Sequence, residues 1–330
     1  MKAAYIETTG TPDVIQYGEL PAPVPKEGEV LVKVSTVAVN PVDTYIRAGM
    51  VAMPLPKPFI IGCDLAGAVA ALGPGVKRLK VGDRVWGSNQ GLLGRQGTFA
   101  EFAAVHEDWL YPTPTDVTDQ QAAAAALVGI TAHLGLFRDA KLQSGETAFV
   151  NGGTGGVGSM VVQMAKAVGA KVITTVGSAE KAAVCRSWGA DCVINYKTED
   201  VPAAVKKFTS DKGVHVWYET QHPDFMKAVA LMAPGGRIVI MAGRQAQPVF
   251  PVGAFYVKGL TLHGFAMFNA TAEEQRRASE DINRWLAGKK LHVLIGKTFP
   301  LSEAAAAHRL QEENTLNKSG TLSGKIVLTV

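Results

Sequence analysis

The stretch Ala148-Phe149-Val150-Asn151-Gly152-Gly153-Thr154-Gly155-Gly156-Val157-Gly158, running on into Ser159-Met160-Val161-Val162-Gln163-Met164-Ala165-Lys166, decides the fold. A short β-prone run enters five glycines and leaves as an amphipathic helix. Gly153, Gly155 and Gly158 stand at the spacing G-x-G-x-x-G. In such a turn one glycine permits the tight strand-to-helix reversal. A second lets the backbone approach a pyrophosphate, and a third lets the helix pack on the strand. The anion then lies at the helix N-terminus, where free N–H groups and the helix dipole favour negative charge. The spacing alone is a weak signal, because a glycine-rich turn that binds nothing looks the same. The strand before it, the helix after it and a second strand over Lys171–Val176 point to a dinucleotide site, with Gly153, Thr154, Gly155, Gly156 and Val157 as the phosphate cradle.

The second strand indicates which dinucleotide. Sites for NAD carry Asp or Glu about 20 residues after the glycines, on the ribose hydroxyls. Here the strand ends Thr174-Thr175-Val176-Gly177-Ser178-Ala179-Glu180-Lys181, with Gly177 and Ser178 at the tip and no carboxylate. A missing acid removes repulsion toward a 2′-phosphate, which the Ser178 hydroxyl and the Lys181 ammonium are suited to bind. Glu180 is expected past the tip on the outer face of the next helix, and a solvated helix lysine is the plainer reading of Lys181. The expectation is NADPH rather than NADH.

The chain has 330 residues, enough for two domains, and 47% hydrophobic against 19% charged residues fits an ordinary globular protein with ample core. A net charge of +4 with no long run of like charges gives no reason to expect a nucleic-acid or anionic-membrane partner. Cys63, Cys185 and Cys192 are an odd set without C-x-x-C spacing, which suits a reducing compartment. The Ala-rich run Gln121–Phe137 is short for a membrane span and reads as a buried helix; Met1–Tyr5 leads straight into a strand. A cytoplasmic location is expected.

Residues 1 to about 120 are β-rich and punctuated by turns: Glu29–Val39 alternates as a strand, and Gly67–Leu72 and Asp83–Trp86 are shorter ones. Thereafter strands at Glu146–Val150, Lys171–Val176, Cys192–Ile194, Val214–Tyr218, Gly236–Met241 and Thr261–Phe265 alternate with helices, the pattern of a doubly wound parallel sheet. Helices over Glu273–Ala287 and Ser302–Gln311 and a strand over Lys325–Thr329 then return to the first domain. The expected division is 1–121 with 267–330, and 122–266. The strand Thr261–Phe265 would leave an open sheet edge, which must be covered or paired.

The segment Val39-Asn40-Pro41-Val42-Asp43-Thr44-Tyr45-Ile46-Arg47-Ala48-Gly49 closely resembles the zeta-crystallin-like quinone oxidoreductases, a zinc-independent branch of the medium-chain dehydrogenase/reductases. Further matches follow in the family's order: Gly62-Cys63-Asp64-Leu65-Ala66-Gly67, Val81-Gly82-Asp83-Arg84-Val85, Gly97-Thr98-Phe99-Ala100-Glu101-Phe102, the glycine loop and Gly235-Gly236-Arg237. The resemblance covers essentially the whole chain. It implies an α/β protein with a β-rich GroES-like catalytic domain and a Rossmann domain, and pairing of two copies across a two-fold axis.

The zinc-dependent relatives have a ligand cysteine where this chain has Asn40, a Gly-His-Glu motif where it has Gly62-Cys63-Asp64, and a four-cysteine lobe where Trp86–Phe99 has no cysteine. A catalytic zinc needs about three protein ligands, which Cys63 and Asp64 alone do not supply. Without a Lewis acid, the expected chemistry is reduction of an acceptor that is already electrophilic, a quinone or an activated enone or alkenal. By matching position the resemblance places Tyr45, Asn40 and Thr131 at the nicotinamide, and Lys181 and Tyr196 on the 2′-phosphate. Gly177, Met241, Ala242, His263, Gly264 and Phe265 would line the rest of the cofactor. Gln221 is a further contact in a loop about one residue shorter than the family's. Hydride passes to the acceptor in the cleft at the strand ends. Tyr45, with an ordinary pKa near 10, is the candidate proton donor. One-electron reduction would need none. Alternatives are an enoyl-thioester or alkenal reductase, and a non-catalytic NADPH-binding structural or RNA-binding protein.

Overall fold

The structure, a computed structural model, describes residues 1–317 and 319–330. The chain divides into two compact units, one of Met1–Leu127, Ala270–Ala287 and Val293–Val330, the other of Val128–Asn269 and Gly288–His292.

In the first unit β1 (Lys2–Ile6) pairs antiparallel with β2 (Gln16–Glu19). The alternation expected over Glu29–Val39 forms β3 (Glu29–Val39), burying Val30, Val32 and Val34 while Lys33 stays exposed. Pro41 opens the short helix α1 (Pro41–Arg47), where a missing N–H does no harm. Beyond β4 (Phe59–Ile60), the strands β5 (Asp64–Leu72), β6 (Arg84–Gly87), β7 (Phe102–His106) and β8 (Leu110–Pro112) extend the sheet around β3.

Helix α2 (Asp119–His133) continues through a wider π-type turn over Leu134–Asp139. By length and composition this stretch could cross a membrane, but 78% of its apolar window is buried inside the protein, as in a core helix. The changeover between units at Leu127–Val128 lies inside α2, where no turn marks it.

The second unit alternates strand and helix. It comprises β9 (Thr147–Asn151), α3 (Gly156–Ala167), β10 (Lys171–Val176), α4 (Ala179–Ser187), β11 (Cys192–Asn195), α5 (Val201–Thr209), β12 (Val214–Glu219), α6 (Phe225–Leu231), β13 (Met232–Ile240), α7 (Val252–Val257) and β14 (Thr261–Gly264). All neighbours are parallel, in the order β11-β10-β9-β12-β13-β14. The order reverses beside β9, so the ends of β9, β10 and β12 form the crevice in which such sheets bind ligands. Phe149 stacks on Trp217 with ring centroids 3.9 Å apart, in a core with Ile173, Val205, Val229 and Ile238. Burying each large apolar side chain contributes about 1.5–3 kcal/mol.

The chain then returns to the first unit through α8 (Ala272–Ala287), β15 (Ile295–Pro300), α9 (Ala304–Thr315) and β16 (Lys325–Thr329), which pairs antiparallel with β3. The sequence reading missed β15 and α7. Strand β15 is a mostly exposed edge containing Gly296, Lys297 and Pro300, so it carries no apolar alternation. Helix α7 is one short turn-and-a-half with no buried residue.

Candidate functional site

Strand β9 delivers the glycine loop to the crevice, and the glycines differ in what holds them. A methyl on Gly158 would stand 2.1 Å from the Gly152 carbonyl oxygen, and one on Gly153 would stand 2.2 Å from Thr174 Oγ1. Both are glycine because the protein packs against them. Gly155 is exposed, its φ of −69° suits any residue, and a methyl there would meet nothing nearer than the Gly152 oxygen at 3.5 Å. The room above Gly155 therefore lies on the outer side, at the N-terminus of α3, where the first N–H groups have no partner within the helix. That geometry fits a pyrophosphate. Gly156 and Val157 form the first turn of α3, and Thr154 is nearly buried beside them.

At the tip of β10, Ser178 caps α4, its hydroxyl oxygen accepting the Lys181 backbone N–H at 3.3 Å. The ring of Tyr196 lies over Gly177, where an added methyl would come within 2.8 Å of the phenol oxygen. Gly177, Ser178, the main chain of Lys181 and the ring of Tyr196 thus meet around one strand tip, although Tyr196 follows β11. Glu180 is exposed, as expected, and its own backbone N–H and the Ser178 hydroxyl hold its carboxylate below the usual range.

The ends of β12, β13 and β14 complete this edge of the sheet. The Gln221 side chain covers Gly152, its Nε2 within 2.5 Å of where a methyl would sit. Met241 and Ala242 follow the last residue of β13, and His263 and Gly264 pair with Val239 and Ile240. Phe265 donates its N–H to the Ile240 carbonyl at 3.3 Å and lies under the Arg138 guanidinium. The ring of His263 faces Thr261 Oγ1 at 3.2 Å. Thr131 is almost buried in α2, and its carbonyl accepts the Tyr218 hydroxyl at 2.9 Å.

Asn40 and Tyr45 belong to the first unit. Tyr45 is a half-buried position of α1, between the buried Thr44 and Ile46. Asn40 is wholly buried. Its backbone N–H donates to Asp43 Oδ2 at 2.7 Å, its Nδ2 to Asp64 Oδ2 at 2.8 Å, and its Oδ1 accepts from the Lys325 ammonium. Lys325 also donates to the Val39 carbonyl at 2.7 Å, and Ser88 Oγ donates to Asp64 Oδ1 at 2.6 Å. Burial pushes Asp43 up to about 7 and raises Asp64, the latter opposed by Lys325, Ser88 and Asn40. Burial lowers Lys325, opposed by the two carboxylates, and lifts the neighbouring Cys63 thiol well above its ordinary value. An ammonium is thus bonded to Asn40, where the zinc-dependent relatives hold a ligand cysteine. Among the described residues, no group of three or more His, Cys, Asp or Glu is arranged to hold a metal ion. Sequence reading weighed Asp64 only as a ligand and missed Lys325, which lies 285 positions from Asn40.

Known proteins agree with this architecture. Residues 26–115 match the family described as "Alcohol dehydrogenase GroES-like domain", and residues 156–284 match "Zinc-binding dehydrogenase", a range that excludes Asn40, Cys63 and Asp64. A quinone oxidoreductase of Sus scrofa is 32% identical, over 99% of this chain and 97% of its own length. The crystal structure of Escherichia coli quinone oxidoreductase complexed with NADPH superposes with a TM-score of 0.87 at 28% identity, covering 100% of both chains. The crystal structure of a 2-haloacrylate reductase gives 0.84 at 30% identity, over 100% of this chain and 99% of the other.

Proposed function

This chain belongs to the quinone oxidoreductases of the medium-chain dehydrogenase/reductase superfamily, and from that membership we propose that it oxidises NADPH and reduces a quinone or an activated enone or alkenal without zinc. What supports the reading is the tip of β10, where the Ser178 hydroxyl, the Lys181 main chain and the Tyr196 ring come together and the strand end carries no carboxylate of its own, that of Glu180 belonging to the first turn of α4. A hydroxyl, an ammonium and a phenol suit a 2′-phosphate, while the open side of Gly155 suits the pyrophosphate. The NADPH carried by the similar Escherichia coli enzyme supports the same choice.

When bound, the cofactor supplies a hydride from its nicotinamide. The protein's part is to hold and orient. The N-terminus of α3 offers N–H groups to the pyrophosphate. Met241, Ala242, His263, Gly264 and Phe265, at the ends of β13 and β14, would border the cofactor along the same sheet edge, with Gln221 and Thr131 as further contacts. Asn40 and Tyr45 are assigned to the nicotinamide end by their matching positions. The Tyr45 hydroxyl is the proposed proton donor to the reduced acceptor. Asn40, through its bonds to Asp43 and Asp64, holds the start of the helix that carries Tyr45. Zinc independence is supported by the donor chemistry: amide, ammonium and hydrogen-bonded carboxylates do not make a zinc set.

The acceptor class extends to activated alkenes because a similar protein of known structure acts on 2-haloacrylate. Self-association is part of the proposal. Strand β14 is the outer strand of its sheet, and Leu262 there and Val252, Tyr256 and Val257 on α7 are exposed. An unpaired edge beside apolar residues is suited to a second copy of the chain.

Aerobic NADPH oxidation against a panel of quinones, enones and alkenals, with elemental analysis for zinc, tests the activity. Turnover by metal-free protein is expected. In Tyr45→Phe, kcat for enones should fall much more than for quinones able to accept single electrons. Tight NADPH binding with no turnover of any acceptor would replace this reading with a non-catalytic NADPH-binding protein.

A further inference from the structure

Below the glycine loop runs a chain of hydrogen bonds whose direction is set by one buried carboxylate. Glu219 is the last residue of β12, opposite Asn151 on β9, and is 1% exposed. Its two oxygens receive Asn151 Nδ2 at 2.9 and 3.0 Å, the Gln221 N–H at 2.8 Å and the Trp217 indole N–H at 3.4 Å. A carboxylate only accepts, so Asn151 must turn its NH2 toward Glu219 and its Oδ1 toward β10. There it accepts the Thr175 hydroxyl at 2.9 Å. With its proton committed to Asn151, Thr175 Oγ1 offers lone pairs to the Gly152 N–H at 3.0 Å, while the Thr175 carbonyl takes the Gly153 N–H at 3.0 Å. The first two amides of the loop are thereby drawn toward the sheet, at a residue, Gly152, whose φ is +87°.

Resting on the reading of this loop as the pyrophosphate site, we propose that Glu219 is a positioning residue for the dinucleotide. Its acceptor-only carboxylate, acting through Asn151 and Thr175, holds the glycine loop in the shape that receives the pyrophosphate. Burial raises the carboxyl above its ordinary range, so an ionised group here opposes folding. A glutamine has the same shape without that penalty, but it brings an NH2 to a point that already receives three donors. If Asn151 flips to accept from it, Thr175 Oγ1 meets two donors and its own proton loses its partner. Either arrangement loses a bond in the chain that holds Thr175 against the loop, and the chain is a unit whose members are not independent.

The test measures NADPH and 2′-AMP binding by calorimetry in wild type, Glu219→Gln, Thr175→Val, the double variant and Glu219→Asp. The 2′-AMP probe has no pyrophosphate and reports the tip of β10 alone. Glu219→Gln should weaken NADPH about tenfold or more, the loss of one hydrogen bond to a charged group, and leave 2′-AMP within about twofold. The double variant should bind NADPH no more weakly than the poorer single one. Glu219→Asp, still acceptor-only, should lose less than Glu219→Gln. Equal losses for the two probes would mean that Glu219 only supports the fold, and unchanged NADPH binding would remove its role at the loop; either overturns the proposal. Wild-type protein that binds 2′-AMP and NADPH equally poorly overturns the nucleotide reading itself, and this proposal with it.

Discussion

Gly155→Ala and Gly158→Ala should separate binding from folding at one loop. At Gly155 the backbone suits alanine, and the new methyl meets only the Gly152 oxygen at 3.5 Å, an ordinary contact. Gly155 is the N-cap of α3, and alanine there forfeits about 1 kcal/mol or less. The same methyl fills the approach of the pyrophosphate to the helix N-terminus. Losing one charge-assisted hydrogen bond, about 1.5–3 kcal/mol, weakens NADPH roughly 10- to 150-fold. At Gly158 the methyl would stand 2.1 Å from the Gly152 oxygen and 3.0 Å from its carbonyl carbon, backbone that cannot yield without moving the loop. Overpacking of this kind costs about 1–3 kcal/mol, of which the better helix propensity of alanine returns at most about 1. The second unit should melt several degrees lower, at about 2–4 °C per kcal/mol. Calorimetric titration with NADPH and scanning calorimetry, run on both variants, decide the matter. Wild-type NADPH affinity in Gly155→Ala would refute the placement of the pyrophosphate. An unshifted melting curve in Gly158→Ala would refute the packing argument.

Lys181→Ala should lower the preference for NADPH over NADH about tenfold, close to 1.4 kcal/mol, and an unchanged ratio of the two affinities would remove Lys181 from the phosphate site. Asp43 gives a pH dependence whose sign follows from a folded value of about 7 against an ordinary 3.8. Its contribution is fully present below the ordinary value and is lost as pH rises through about 7. Urea unfolding should therefore show wild type losing stability between about pH 4 and pH 7 relative to Asp43→Asn, by up to about 4 kcal/mol, with little further change above; parallel pH profiles would contradict the burial of this acid. Light scattering at micromolar concentration should find a dimer for wild type and monomer for Leu262→Asp, and a monomeric wild type would refute pairing through β14.

The parts of this protein legible in its sequence are those whose constraint is local. The glycine spacing is dictated by atoms a few residues away, as the contact of Gly158 with Gly152 shows. The buried strands β9, β10 and β12 announce themselves as apolar runs because both faces of a parallel sheet are covered. The cap at Ser178 and the proline at the start of α1 are likewise read from neighbours in the chain. The edge strand β15 was not legible, because an exposed edge asks no pattern of its side chains.

Glycine loop, alternating elements and family motifs thus determined the fold class, the nucleotide-binding half and the chemistry to look for. Only the tertiary structure decided which polar groups satisfy one another. Asn40 meets Lys325 across 285 positions and Glu219 meets Asn151 across 68, in each case because strand register brings the two together. Register is fixed by how whole strands bury their apolar faces, and no short-range periodicity encodes it. A buried carboxylate must find donors wherever the packed strands present them, so the partners of Asp64, and the Asn151 amide that Glu219 takes beside its chain neighbours Trp217 and Gln221, are settled by the assembled sheets.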